Sequence, residues 1–155
     1  MKPLFRNILV AGAAAGLLAG AAGAQSAVES AVKARQAHMQ LQGFNMAPLA
    51  AMARGELPYD AEQAAALAGN LDALVNMDMA HYWPPGSAQG EIEDTRALPA
   101  IWENGSDIGA KVEAMRAAAG ALNTAAGTDL AALQAAVGPV GQACGACHQS
   151  FRATE

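Results

Sequence analysis

The chain has 155 residues, the length of one domain, and its 14 acidic residues outnumber its 9 basic ones. The resulting net charge of −5 repels phosphate backbones, which disfavours nucleic-acid binding. Alanine dominates the composition, and this favours helices over strands.

Residues 1–24 have the three features of an export signal. These are a basic start, an apolar stretch and a small-residue cleavage site, namely Lys2 and Arg6, Ile8 to Leu18, and Ala22-Gly23-Ala24 before Gln25. The alternative is a membrane anchor, but the stretch is short and rich in Ala and Gly for ~30 Å of hydrocarbon. We therefore expect cleavage near Ala24.

The predicted mature domain is residues 25–155. Loss of Lys2 and Arg6 leaves 7 basic against 14 acidic residues, a net charge of −7. No later run looks long and apolar enough to span a bilayer, so we expect a soluble protein in the bacterial periplasm, without a membrane partner.

The mature part predicts an all-α fold. No stretch alternates apolar and polar residues over the length of a strand. Gly, Pro and Asn/Asp signals separate four helical segments, at about Ser26–Ala53, Asp60–Ala80, Pro99–Asn123 and from Thr128 or Asp129 onward. Four amphipathic helices with one long connection, from His81 to Leu98, indicate an antiparallel four-helix bundle.

Local signals refine these helices. Two pairs match a capping box, Ser26 with Glu29 and Asp60 with Gln63. Proline predicts a bend or break around residues 45–48 and a kink at Pro139. The expected buried face of the first helix is Val28, Val32, Met39, Met46 and Leu49, and that of the third is Ile101, Ile108, Val112, Met115, Ala119 and Leu122. That of the fourth is Leu130, Leu133, Val137, Val140, Cys144, Cys147 and Phe151.

The fourth segment contains the most specific motif, Cys144-Gly145-Ala146-Cys147-His148. Two thiols three residues apart lie on one helical face, and a histidine follows the second at once. This spacing is typical of covalent haem attachment, with a thioether from each cysteine and an axial bond from His148 to iron.

Other interpretations of the motif are weaker. A disulfide between Cys144 and Cys147 would close a very small loop and stabilise the fold little. A thioredoxin-like dithiol belongs at a helix start within a βαβ unit, whereas this pair comes late in a helix. A zinc site would lack a fourth ligand, because His38 and His81 lie far away in sequence.

Over essentially the whole mature chain, the sequence resembles the cytochrome c prime family. The haem motif is followed by an aromatic and a basic residue, Phe151-Arg152. The first helix carries Arg35-Gln36 and then Met39. The other matching segments are Trp83-Pro84-Pro85-Gly86 and Ile101-Trp102.

The resemblance implies one covalently bound haem c, usually five-coordinate and high-spin, with His148 as the only axial protein ligand. Arg35 and Gln36 match residues that contact the haem propionates, and Trp83 lies in the aromatic loop beside the pocket. Met39 matches a residue that crowds the opposite face of the iron. That face admits nitric oxide and carbon monoxide.

The same resemblance implies an antiparallel homodimer through the first two helices and a periplasmic redox partner. Arg152 matches a proximal arginine beside the axial histidine, and its spacing from His148 places it one turn further along the helix. Its alternative is a solvated helix end that interacts with the helix dipole.

Met39 leaves two functions open. A thioether that binds the iron would make a low-spin electron carrier, as in low-spin relatives of this fold. A thioether that only packs would leave the site open to gases. His38 and His81 are weaker ligand candidates, and Trp83 and Trp102 are expected to pack. No distal acid–base group is well placed for peroxidase chemistry, so we expect no enzymatic activity.

Overall fold

The computed structural model describes the backbone of residues 4–154 and the side chains of residues 25–154. The predicted export signal, residues 1–24, lies outside the part of the chain whose side chains are described. The signal and its cleavage site therefore remain predictions.

Four helices form the fold, and they run from Leu4 to Ala53 (α1), Ala61 to Val75 (α2), Ile108 to Ala125 (α3) and Leu130 to Phe151 (α4). The helix pairs α1–α2, α2–α3, α3–α4 and α1–α4 are in contact, which closes a four-helix bundle. The long connection between α2 and α3 contains two short 3₁₀ turns, Ala80–Tyr82 and Pro99–Ile101. The predicted fold is confirmed.

Two predictions about α1 are wrong. The helix does not begin at Ser26, because it continues through this residue, whose carbonyl oxygen accepts a hydrogen bond from Ser30 Oγ (2.8 Å). The predicted break at residues 45–48 is also absent. Pro48 lies inside the helix, which continues to Ala53.

The buried face of α1 is rotated from the predicted one near the middle of the helix. His38 is buried at 5% exposure, whereas Met39 is 40% exposed. The imidazole of His38 packs edge-on against the ring of Tyr82, with the ring centres 6.2 Å apart. Contact with Tyr82, in the turn after α2, therefore accounts for the buried position of His38. The periodicity of α1 alone cannot predict a contact with a separate segment.

Helix α2 begins as predicted and ends early. Asp60 is its N-cap, and the carboxylate accepts a hydrogen bond from the backbone N–H of Gln63 (2.9 Å). The helix stops at Val75 rather than near Ala80. The carboxylate of Asp78 accepts a bond from the N–H of Ala80 (3.0 Å), and this starts the first 3₁₀ turn.

Helix α3 begins nine residues after the predicted Pro99. Pro99 does start a helical turn, but this turn ends at Ile101. Gly105 then adopts a left-handed conformation with φ of +86°, which interrupts any helix. On the predicted apolar face, Ala119 and Leu122 are buried, and Val112 is 37% exposed.

Helix α4 is capped by Asp129, whose carboxylate accepts a bond from the N–H of Ala132 (2.8 Å), as predicted. In residues 25–154 it is the one helix that is long and apolar enough to cross a membrane by length and composition, contrary to the expectation that no such run exists. In this structure the helix packs within the bundle, since Leu133 and Val140 are completely buried between the helices.

The tight core fills one half of the bundle. Its largest completely buried side chains lie near the end of α1, within α2, near the end of α3 and in the first part of α4, namely Leu49, Met52, Leu71, Leu122, Leu133 and Val140. The other half contains the beginning of α3 and the end of α4. The Cys-x-x-Cys-His motif lies in this second half.

Candidate functional site

The last turns of α4 carry the three residues of the haem motif. Leu133, Val140 and Phe151 are buried on the stripe that also contains the two cysteines. Both cysteines are half-buried, and neither forms a disulfide. The predicted stripe is therefore confirmed, except that Leu130 at its start is 37% exposed.

The two thiols lie half-buried on α4, and Cys144 packs against the hydrophobic core. Cys144 Sγ is 3.8 Å from Met115 Sδ on α3. Burial raises the pKa of both thiols, and for Cys147 the charge of Lys111 opposes part of the rise. At neutral pH the pair is therefore protonated, the form that would add across a vinyl double bond without leaving a buried charge.

His148 is half-buried and electrostatically favoured in its neutral form. Burial lowers the pKa of the imidazole, and the positive charges of Arg152 and Arg96 lower it further. A neutral imidazole retains the nitrogen electron pair that binds a metal. The environment of His148 is thus suited to an axial ligand.

A cleft of about 700 Å³ lies beside His148 and is lined by Arg96, Gly145, His148, Gln149, Arg152, Ala153 and Thr154. The chain after α4 pairs with the long connection along this cleft. The N–H of Leu98 donates to the carbonyl of Phe151 (2.9 Å), and that of Ala153 donates to the carbonyl of Arg96 (2.8 Å). The pairing holds Arg152, an exposed residue, next to the histidine.

Arg35 on α1 is buried at 4% exposure and holds the long connection. Its guanidinium donates to Ser87 Oγ (2.7 Å), to the carbonyl of Ser87 and to Thr95 Oγ1 (2.6 Å). It also lies 4.8 Å from the ring centre of Trp83. Burial lowers the pKa of this guanidinium.

Gln36 makes the same kind of contact as Arg35. Its side-chain amide donates to the carbonyl of Asp94, a residue in the left-handed conformation with φ of 57°. The expected contacts of Arg35 and Gln36 with haem propionates stay predictions. Their observed partners are in the connection between α2 and α3.

Both tryptophans pack, as predicted, and the structure shows that they pack against each other. Their ring centres are 6.2 Å apart, and Trp102 Nε1 donates to the carbonyl of Trp83 (3.1 Å). Trp83 thus links Arg35 to Trp102, the residue that follows the second 3₁₀ turn. His81 is exposed, so it is not brought to the site.

Sequence reasoning missed four residues of this region, namely Ser87, Thr95, Arg96 and Met115. Ser87 and Thr95 lie in irregular chain, where no periodicity marks a buried hydroxyl. Their partner Arg35 is 52 and 60 residues away. Only Met115 carried a signal, since it lies on the predicted apolar face of α3.

The donor set fits a covalently attached haem. Two uncombined thiols face the bundle, a neutral imidazole follows them, and an arginine flanks the imidazole. The apolar side chains of Met39 and Val112 remain 40% and 37% exposed in this half of the bundle, so apolar surface is available to a porphyrin. These features define a class, the four-helix proteins that bind haem covalently.

Comparison with known proteins identifies the family. Residues 30–152 match the model of the family described as Cytochrome C'. Cytochrome c-554 of Cereibacter sphaeroides is 45% identical over 125 residues, which cover 81% of this chain and 82% of that protein. Cytochrome c' of the same organism is 40% identical over 147 residues, which cover 95% and 97%.

A solved structure of cytochrome c' from Rhodobacter spheriodes has the same fold. It superposes with a TM-score of 0.80 at 40% identity and covers 83% of this chain and 98% of its own. The chain belongs to the cytochrome c' family. Its cofactor is therefore haem c, bound covalently.

Proposed function

We propose that this protein is a periplasmic haem protein that binds small neutral gases, with His148 as its axial ligand. The observation that carries the proposal is the arrangement at the end of α4, where two half-buried free thiols precede a half-buried imidazole. Haem c supplies an iron atom that binds diatomic gases and exchanges single electrons.

The residues of α4 divide the work of holding the cofactor. The S–H group of each of Cys144 and Cys147 would add across the double bond of one vinyl group and form a thioether. All atoms are retained in this addition, and no oxidant is needed. His148 would bind the iron from the proximal side, and Arg152 would place a positive charge beside it. A cation there disfavours the ferric state, which has one more positive charge.

Gas binding is supported by a solved relative. A variant of cytochrome c prime from Alcaligenes xylosoxidans, 32% identical with a TM-score of 0.71, was solved as a nitric oxide complex. In this chain the distal side would be formed by the segment of α1 around Met39.

A second function is favoured by the position of Met39. Six other methionines are present, and among them Met52 is buried while Met46 and Met115 pack against the core. The side chain of Met39 is instead 40% exposed, so it is not needed to fill the core. A thioether that is not packed in the core can bind the iron, and the protein would then be a six-coordinate electron carrier.

Replacement of Met39 by Leu separates the two functions. The gas-binding proposal expects the resting ferric spin state of the haem-loaded protein to be the same before and after the change. Conversion from low spin to high spin would identify Met39 as a ligand and establish the electron carrier. Met77→Leu is the matched control, because Met77 is equally exposed (41%) and lies beyond the end of α2.

The protein is also proposed to form a homodimer through α1 and α2. One solved relative, 32% identical with a TM-score of 0.75, is described as having a ligand-controlled dimer dissociation. In this chain Leu41 and Phe44 are neighbours on α1 and are 51% and 73% exposed. Two large apolar side chains on one helix face are suited to a protein interface.

A further inference from the structure

We propose that Asn104, in the turn that precedes α3, is a site of spontaneous deamidation, in which the side-chain amide becomes a carboxylate. The modification is a property of this turn and does not depend on the proposed haem function. It would change the net charge of residues 25–155 from −7 to −8, because 7 basic residues would then stand against 15 acidic ones instead of 14.

The chemistry requires an asparagine that is followed by a small residue. The backbone nitrogen of the next residue attacks Cγ of the asparagine and forms a five-membered succinimide, and the side-chain amide leaves as ammonia. A side chain on the attacking residue obstructs this approach, so glycine is the most favourable neighbour. Asparagine is in general a thermally labile residue, and Asn104-Gly105 is the one Asn-Gly pair in the sequence.

Water completes the reaction by opening the succinimide ring. Cleavage of the bond between Cγ and the glycine nitrogen gives aspartate. Cleavage of the bond between the main-chain carbonyl carbon and the same nitrogen gives isoaspartate, in which the chain runs through Cβ and Cγ. In both cases one water molecule is consumed and one ammonia is released, and no oxidant or enzyme is needed.

The first structural argument is the state of the side-chain amide. Residues 25–154 contain four other asparagines, and each of their amides donates a hydrogen bond, namely those of Asn45, Asn70, Asn76 and Asn123. Asn104 is exposed, and its side chain forms no hydrogen bond with the described part of the chain. Its Cγ can therefore be attacked without the loss of a bond.

The second argument concerns the attacking nitrogen. Gly105 is exposed, and its backbone N–H donates no hydrogen bond to residues 4–154. Apart from its chain neighbours, nothing lies within 4 Å of the position that a Cβ would occupy. Its φ of +86° lies in the region that favours glycine, and glycine can leave this conformation at little cost.

The third argument is how easily the turn opens. Attack on Cγ requires rotation of the peptide plane between Asn104 and Gly105. The turn is closed by one hydrogen bond, from the N–H of Ser106 to the carbonyl of Glu103 (3.1 Å). Such a bond at the surface stabilises little, because water replaces it when it opens. We therefore expect the folded state to slow the reaction by no more than about tenfold.

Peptide mapping over time measures the reaction in the haem-loaded protein, kept folded in a mildly alkaline buffer. The peptide that contains residue 104 should gain the mass difference between a hydroxyl and an amino group, in an aspartate and an isoaspartate form. A more acidic band should appear in isoelectric focusing at the same rate. The same chain unfolded in guanidinium chloride gives the reference rate, and the two rates should agree within about tenfold.

Asn104→Gln is the test variant. Glutamine retains the amide, but its longer side chain would have to close a six-membered ring, which is slower, so the acidic band should be lost. Asn76→Gln is the matched control, since Asn76 is also exposed but precedes a methionine and bonds its amide to the carbonyl of Asp72 (2.9 Å). This control should form the acidic band at the wild-type rate.

Three results would overturn the proposal. One is the absence of product at residue 104 in the folded protein while the unfolded chain reacts, because the turn would then protect the asparagine. Another is an acidic band that persists in Asn104→Gln. The last is modification of Asn76 or Asn123 at a rate equal to that of Asn104, because hydrogen bonding and the following residue would then not select the site.

Discussion

At the scale of single residues, the environment of His148 shows how charge is arranged around a candidate ligand. Burial and two arginines all disfavour the protonated imidazole. Arg152 is the arginine whose place could be read from sequence, because a spacing of four residues defines one helical turn. Arg96 could not be foreseen, since a backbone pairing between distant segments brings it to the cleft.

Arg152→Leu should lower the reduction potential of the haem protein. Removal of a cation beside the proximal histidine stabilises the ferric state relative to the ferrous state. The reduction potential should therefore fall by roughly tens of millivolts for a partly exposed charge. Spectroelectrochemical titration measures the shift. Arg54→Leu, which removes an exposed cation at the end of α1, should leave the potential nearly unchanged, and equal shifts in both variants would contradict the assigned role.

At the scale of helices, local capping signals predicted the starts of α2 and α4 but not those of α1 and α3. Asp60 and Asp129 cap α2 and α4 as their sequences indicate, because a cap depends on residues only three positions apart. The starts of α1 and α3 were missed. The chain continues as helix before Ser26, and the left-handed Gly105 delays α3 beyond Pro99.

The turn between α3 and α4 depends on a close approach at Gly127. A Cβ atom there would lie 2.9 Å from Ala65 Cβ and 3.3 Å from the carbonyl oxygen of Ala61. Gly127→Ala should therefore reduce the free energy of unfolding by about 1–3 kcal/mol, the usual cost of overpacking. Chemical denaturation of the haem-loaded protein measures it.

Gly141→Ala is the control for this change. Gly141 lies inside α4, and apart from its chain neighbours and the adjacent helix backbone nothing lies within 4 Å of the position of its Cβ. Alanine there should increase the free energy of unfolding by about 0.5–1 kcal/mol through its higher helix propensity. If both variants lost the same stability, the contact with α2 would not explain the requirement for glycine at position 127.

At the scale of the whole molecule, the bundle and its haem motif were predictable, whereas the organisation of the long connection was not. Periodicity and the Cys-x-x-Cys-His spacing are local, and they correctly placed both cysteines on the buried stripe of α4. The contacts of Arg35 span more than fifty residues, and the inward turn of His38 depends on Tyr82. Such contacts form only when separate helices assemble.

Phe44→Asp should convert the proposed homodimer into a monomer. Phe44 is 73% exposed on α1, and a charge at this position would have to be buried in the proposed interface without a partner, which is unfavourable. Sedimentation or light scattering gives the mass. Leu130→Asp, at an apolar position of similar chemistry but on α4, should leave the dimer intact. A dimer that survives Phe44→Asp would place the interface elsewhere.

The most direct test of the proposed function is the visible spectrum of the haem-loaded wild type, ferric and ferrous, before and after addition of carbon monoxide. An open sixth position predicts a broad high-spin spectrum that becomes sharp when carbon monoxide binds the ferrous form. A sharp low-spin spectrum that the gas does not change would contradict gas binding and would indicate that Met39 holds the iron.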